Sequence, residues 1–310
     1  MGSVCSLARR DVLKWIPAAF CSRIFAQQPA LDFPKEARAR LSVTSYPFRA
    51  FINSPKNHDR NASLPGMDMT EFPAFVAEKF GVFNVNPLVN HFSSTEPAYL
   101  DSFRAALEKA HSHIVDLGLP GGRFYAVDAS VRRQAVAVGR QHVDIAVLLN
   151  SPSVRQHVNG AKSETPDVAL AAASLGELAE YGAKKNVVIN LENDSPGAED
   201  PFFLAAIIEK AGNPYLRGLP DFGNSLLGHD AEFNKKAITA MMKHAFNMCH
   251  VKDAVQGSGD KMYQVDLASA FELAKQASYR GYFSMEFETG AGDPIAGTKR
   301  LVEESLHYLS

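Results

Sequence analysis

Four side chains able to hold a metal recur at near-equal steps in the second half of the sequence: Glu192, Asp221, His250 and Glu286, which are 29, 29 and 36 residues apart. Each stands at the end of an apolar run, as in Val187-Val188-Ile189-Asn190-Leu191-Glu192 and Phe283-Ser284-Met285-Glu286. Such a step is about one strand plus one helix when eight such units share ~250 residues, so it brings all four side chains to one height around one arc of strand ends. Three carboxylates and an imidazole converging there repel and desolvate one another unless a divalent cation sits between them. An oxygen-rich set with a single nitrogen suits Mn²⁺, Mg²⁺, Co²⁺ or Zn²⁺ and excludes soft-metal chemistry. Taken singly, a strand-end Glu is a helix cap or an ion-pair partner, and a His beside Cys249 is a hydrogen-bonded core residue. The joint phase carries the metal reading.

The elements that must position these residues follow from periodicity. After Pro34, short β-branched or apolar runs alternate with amphipathic segments, the pattern of repeated βα units. Eight runs are expected as strands: Leu41–Tyr46, Val82–Asn86, Ile114–Leu117, Val143–Asn150, Val187–Glu192, Leu216–Asp221, Phe246–Val251 and Tyr282–Phe287. Helices are expected over stretches such as Ala98–Ser112, Ser130–Gln141, Val168–Lys184, Pro201–Ala211, Ala231–His244, Leu267–Ser278 and Pro294–Leu309. The fold predicted is an α/β, single-domain (β/α)8 TIM barrel over residues 41–310, after a linker at 27–40. A doubly wound open sheet is the alternative, but no Gly-rich phosphate fingerprint follows the first strand. The long insertion Arg49–Met69 after the first strand reads as a lid, a substrate wall or a decorated surface.

Composition narrows the partners. The 310 residues are 46% hydrophobic and 21% charged, with 32 Lys+Arg against 34 Asp+Glu and a net charge of -2. No overall basic field exists to hold a nucleic acid. Cysteines at 5, 21 and 249 are too few and too scattered for a disulfide framework or a thiolate zinc cluster. Residues 1–26 resemble a twin-arginine export signal: Arg9-Arg10 precedes a short apolar stretch from Trp15 to Cys21 and the run Ile24-Phe25-Ala26. That stretch is too short to span a bilayer. A periplasmic or otherwise extracytoplasmic location is therefore expected, with an amphipathic N-terminal helix in a cytoplasmic protein as the alternative. No later segment looks transmembrane, and a homo-oligomer stays open.

Leu191-Glu192-Asn193, Asp221-Phe222-Gly223-Asn224, His250-Val251-Lys252-Asp253 and Ser284-Met285-Glu286-Phe287 resemble the xylose-isomerase-like TIM-barrel superfamily of sugar (phosphate) isomerases and epimerases. The resemblance implies one divalent metal, Mn²⁺ first with Mg²⁺, Co²⁺ or Zn²⁺ as alternatives, on Glu192, Asp221, His250 and Glu286. It also implies that Glu192 and Glu286 double as proton-transfer groups on a small carbohydrate. Proton removal beside a carbonyl then gives epimerisation or isomerisation through an enediolate; a leaving group β to the carbonyl would turn the same chemistry into a keto-sugar lyase or dehydratase. Asn224 stands where many epimerases and the endonuclease IV branch have a second histidine, and the Asp-x-His pair of endonuclease IV is missing from Asp253–Asp266. Both departures disfavour a trinuclear zinc phosphodiesterase. A barrel that binds sugar without turnover is the rival from another class. Lys252, His91, Asn86, Asn224, Glu288 and Arg123 are candidate substrate contacts, with Tyr46 and Phe48 as a candidate apolar wall.

Overall fold

Most of the apolar runs become strands and the amphipathic stretches helices, in a computed structural model that describes residue 1 and residues 28–310 apart from 163 and 196. The export segment read at 1–26 lies, beyond residue 1, outside the described residues. The order is β1 (Leu41–Thr44), α1 (Phe72–Phe80), β2 (Asn84–Asn86), α2 (Pro97–Lys109), β3 (His113–Ile114), β4 (Leu117–Gly118), α3 (Ala129–Leu148), β5 (Ser153–Arg155) and α4 (Val168–Lys185). Then come β6 (Val188–Glu192), α5 (Pro201–Ala211), β7 (Leu216–Leu219), α6 (Ala231–Met242), β8 (Met248–Val251), β9 (Ala254–Gln256), β10 (Met262–Gln264), α7 (Leu267–Gln276), β11 (Tyr282–Met285) and α8 (Pro294–Leu309).

Two parallel sheets, β3-β2-β1-β11-β8 and β4-β5-β6-β7, form the two halves of one barrel. The seams between them close through the bridges Leu88↔Gly118 on one side and Gly218↔Ala245 and Asp221↔His250 on the other. β3 and β4 are thus two pieces of the third stave, interrupted at Val115-Asp116. Beneath the strand ends the barrel interior is polar. Asp116, fully buried, accepts from Ser153 Oγ and from Asn190 Nδ2 at 3.0 Å, and Asn247 Nδ2 donates to Ser153 Oγ at 2.8 Å. Burial pushes the Asp116 carboxyl up from its ordinary range.

The expected fourth strand, Val143–Asn150, is a correction. Residues 143–148 form the end of α3, and the fourth stave is Ser153–Arg155. Val143, Ala146 and Leu149 recur every three residues and are buried, whereas Val147 and Leu148 between them are exposed, which is a helical face. Strand β5 itself carries Ser153 and Arg155, whose polar side chains serve the barrel interior, so it has no apolar signature.

Helix starts account for many of the acidic residues. Asp128, Asp167, Asp200, Asp230, Asp266 and Asp293 each accept backbone N–H groups at the first turn of α3 to α8. These aspartates are caps and not site residues. The helices then press close on the staves: a Cβ on Gly182 of α4 would lie 2.4 Å from the Val187 carbonyl oxygen, so only glycine lets this helix approach β6. Residues 28–40 cross the opposite, N-terminal end of the barrel. Phe33 packs edge-on against Phe246 and Tyr282, and Arg40 donates to the carbonyls of Tyr279 and Gly281. The insertion 49–69 folds on itself: Ile52 bridges Met67, and Asn57 Nδ2 ties the Arg49 and Ile52 carbonyls.

Candidate metal centre

Glu192 is the last residue of β6, Asp221 lies two residues past β7, His250 is in β8 and Glu286 directly follows β11. All four are buried, and one ligand atom from each lies within 4.8 Å of the others. His250 Nδ1 is 2.5 Å from Glu192 Oε1 and 2.9 Å from Glu286 Oε2. The other ring nitrogen, Nε2, lies 2.9 Å from Asn86 Oδ1, while Asn86 Nδ2 donates to the Asp116 carbonyl at 2.9 Å. Because that amide NH₂ is engaged below, Asn86 turns its oxygen to the ring and assigns the proton to Nε2. Nδ1 is left pointing its lone pair at two carboxylates, an arrangement that needs either a second proton or a cation.

Asp221 makes the same demand. Its Oδ1 accepts the backbone N–H groups of Gly223 at 2.8 Å and Asn224 at 2.7 Å, an Asx turn that fixes the carboxylate. Its Oδ2 is buried with no hydrogen-bond partner among the described residues, although Lys252 Nζ lies 3.2 Å away. Buried carboxylate oxygens are ordinarily satisfied. An orphaned oxygen aimed into a cluster of two more carboxylates and an imidazole lone pair fits a hard divalent cation.

The charges around the cluster follow from burial and pairing. Burial pushes Asp221 up to about 6, against the pull of Lys252. For Glu192 burial acts in the same sense, but Arg155 and then His250 outweigh it and hold the carboxyl down to about 2. His250, which burial would leave neutral, is pushed up to about 10 by Glu286 and Glu192. A metal-free site of this kind takes up a proton in place of a cation.

A cavity of about 370 Å³ opens over the cluster, within the size range of small-molecule sites. Of the residues expected to meet substrate, Lys252, Asn224 and Glu288 line it, as does Tyr46. Lys252 is buried, with Nζ 2.9 Å from Asn224 Oδ1 and 3.2 Å from Glu286 Oε1. Its stem passes so close to Gly223 that a Cβ there would sit 3.0 Å from Lys252 Cγ. Arg49 sits behind two of the lining residues, 4.0 Å from the Tyr46 ring centroid and 3.7 Å from Glu288 Oε1.

The other expected contacts lie elsewhere. Asn86 is behind His250, not on the cavity wall. His91 is buried against Ser45 Oγ at 2.8 Å, and burial, then Arg49, lowers its pKa to about 3, so it is a neutral core histidine. Arg123 pairs with Glu164 at 2.5 Å outside the cavity, and Phe48 packs among Phe72, Phe75 and Phe80. The insertion 49–69 does not line this cavity; Phe51, Pro65, Gly66 and Met67 border a separate apolar one. Sequence reasoning missed Arg155, at the end of the misplaced fourth stave, which pairs with Glu192 Oε2 in the cavity wall. It missed His157 for the same reason, and it missed Asp194 and Glu199, on the loop after the correctly placed β6, because only packing brings them to His157. The sequence signal that could have found Arg155 and His157 is Ser-Val-Arg-Gln-His after Pro152, a polar strand with chemistry at its end.

Comparison with known proteins bears on the fold and the family. A search of curated proteins returns no significant match. Solved structures match in fold. A xylose isomerase-like TIM barrel protein from Mycobacterium smegmatis in complex with magnesium has a TM-score of 0.67 at 15% identity, covering 88% of this chain and 98% of its own. The 3-keto-D-glucoside 4-epimerase of E. coli gives 0.61 at 13% identity, with 87% and 98% covered. D-allulose 3-epimerase from Methylomonas sp. in complex with D-allulose gives 0.61 at 16%, with 90% and 98% covered. Among the described residues no helix is long and apolar enough to cross a membrane. The family model described as Xylose isomerase-like TIM barrel matches residues 76–310, more than half of the sequence, and the chain belongs to that family.

Proposed function

We propose that this protein is a divalent-metal-dependent carbohydrate isomerase or epimerase that moves a proton at the carbon beside a carbonyl. The observation that carries this reading is the pair Glu192 and Glu286, which reach one imidazole nitrogen from staves separated by β7 and β8, at the floor of a polar cavity. Glu192, Asp221, His250 Nδ1 and Glu286 would hold the metal, with Mn²⁺ the first choice. Bound there, the ion supplies Lewis-acid polarisation of the substrate carbonyl.

The chain's own groups do the rest. Each glutamate has a cation on its second oxygen, Arg155 on Glu192 and Lys252 on Glu286, so both are carboxylates before turnover. A substrate carbon between them meets a proton acceptor on either side; removal by one and return by the other inverts it, whereas return from the same side to the former carbonyl carbon gives isomerisation. Lys252, Glu288 and Tyr46 offer charged and hydroxyl partners to sugar oxygens, while Leu119, Leu227 and Val255 exclude water around them. Neighbours named as 3-keto-D-glucoside and D-allulose epimerases support a keto-sugar as substrate. Asn224 in place of a further histidine, and the net charge of -2, weigh against a nuclease.

The test is turnover of D-allulose, D-fructose and a 3-keto-glucoside with Mn²⁺ in D₂O, read by NMR. Deuterium should enter at the carbon beside the carbonyl, and Glu286→Gln should suppress that entry more than it weakens sugar binding. Turnover without exchange at any carbon, or cutting of abasic DNA instead, would overturn the reading. We also propose that Arg9-Arg10 directs export of the protein. Changing both to Lys should retain it in the cytoplasm, and an exported, shortened form of that variant would refute this.

A further inference from the structure

The loops after β5 and β6 bring together a second group of titratable side chains, of which His157 and Asp194 line the same cavity. His157 Nδ1 lies 2.7 Å from Glu199 Oε1 and 3.6 Å from Asp194 Oδ2. The three side chains are spaced as a second cation site would be, but their hydrogen bonds argue otherwise. Glu199 Oε1 also accepts the Val158 N–H at 2.9 Å, and Oε2 accepts the Ser195 hydroxyl at 3.0 Å. Both oxygens of this buried carboxylate are thereby occupied in fixing the loop and the ring. Glu199 sets the proton on Nδ1, and among the described residues no protein group engages Nε2. That edge of the ring is left to the cavity, which His157 lines with Glu192, Asp194, Lys252 and Glu286.

No hydrogen bond or ion pair joins His157 to any of the four ligand side chains. The substrate oxygen it can meet is therefore further along the sugar than those beside the ion. Inverting or shifting a C–H proton needs only the two glutamates; a third proton carrier, set apart from them, is needed when a more distant oxygen must be protonated as its bond breaks. Resting on the function proposed above, we propose that His157, aligned by Glu199, is the general acid for a leaving oxygen β to the substrate carbonyl, so that the site eliminates as well as exchanges.

The step balances without an oxidant. One glutamate takes the proton from the carbon beside the carbonyl, and the electron pair of that C–H bond becomes the new C=C bond. The C–O bond to the β oxygen breaks, and that oxygen takes the Nε2 proton of His157, leaving a neutral imidazole, an enone and a free alcohol. The charged groups facing the ring are Arg155, Glu192, Asp194 and Glu199. Burial and Arg155 oppose the imidazolium, but Glu199 and Glu192 outweigh them and raise its pKa above the ordinary value.

The experiment compares Mn²⁺-loaded wild type with His157→Gln on the methyl and 4-nitrophenyl 3-keto-β-glucosides in D₂O, measuring alcohol release, deuterium at C2 and bound Mn²⁺. Methoxide needs a proton to leave and nitrophenolate does not. His157→Gln should release methanol about 10²-fold more slowly or worse, yet release nitrophenol and exchange C2 within a few-fold of wild type, with Mn²⁺ unchanged. Equal loss on both glycosides, loss of C2 exchange, or loss of Mn²⁺ would make His157 a structural or metal-binding residue and overturn the proposal. Wild type that exchanges C2 but never releases an alcohol would overturn it while leaving the proton-transfer reading intact. Wild type that does neither would remove both.

Discussion

Replacing Asn86 by Ala removes a side chain that links the candidate metal cluster to the polar interior of the barrel. Its Oδ1 holds His250 Nε2 at 2.9 Å, and its Nδ2 holds the Asp116 carbonyl at 2.9 Å. Loss of a partner that orients a ligating histidine ordinarily lowers metal affinity about 10–100-fold, which is about 1.4–2.8 kcal/mol. Fold stability falls as well, because the His250 N–H and the Asp116 carbonyl are left buried and unpaired, at about 1–3 kcal/mol each. Asn84 separates the two effects. It sits two residues earlier on β2 and donates to the Ala39 and Leu41 carbonyls, both at 2.8 Å, with no contact to the cluster. Chelator competition for Mn²⁺ and thermal melts of both variants provide the assay. Asn86→Ala should lose both affinity and stability, and Asn84→Ala stability alone. Unchanged affinity in Asn86→Ala, or equal affinity loss in both variants, would refute the reasoning.

Metal uptake should release about one proton near neutral pH, because His250, held up to about 10, is protonated until the cation displaces its proton. Affinity therefore rises with pH over this range and falls more steeply below about 6, where Asp221 also takes up a proton; calorimetry in buffers of different ionisation enthalpy counts the protons. Arg155→Met strands the buried Glu192 carboxylate and should destabilise the metal-free protein by about 3–5 kcal/mol. The metal-loaded form should lose less, since the ion replaces the lost charge; equal melting shifts with and without Mn²⁺ would contradict this. Gly223→Ala puts a Cβ 2.9 Å from Val265 Cγ2 and 3.0 Å from Lys252 Cγ. The displaced lysine should raise KM for the sugar with metal content unchanged, as read by steady-state kinetics beside elemental analysis.

What the sequence made legible follows from which staves are apolar. β6, β7, β8 and β11 carry runs such as Val188-Ile189 and Met248-Cys249, buried throughout, and their ends carry the ligands, so strand and chemistry were found together. The fourth stave was missed because its inward residues are Ser153 and Arg155, partners of Asp116 and Glu192. A strand whose core face is polar has no alternation of apolar residues to detect, while the neighbouring Val143–Leu148 run imitates one from within a helix. The roles of Asn86 and His91 were illegible for a related reason. Both follow or end β2, but only packing decides that one backs His250 and the other lies against Ser45. The hairpin of β9 and β10, which carries Val255 and Gln256 to the cavity, is a pairing of two short segments with no sequence period of its own.

The most direct measurement is a crystal structure of the Mn²⁺-soaked protein with anomalous data collected at the manganese edge. A single strong peak should lie among Glu192, Asp221, His250 Nδ1 and Glu286, with Asp221 Oδ2 no longer orphaned, and it should vanish in Asp221→Asn. A peak at His157, Asp194 and Glu199 instead, or an empty four-residue cluster at saturating Mn²⁺, would contradict the assignment of the metal and the proton chemistry built on it.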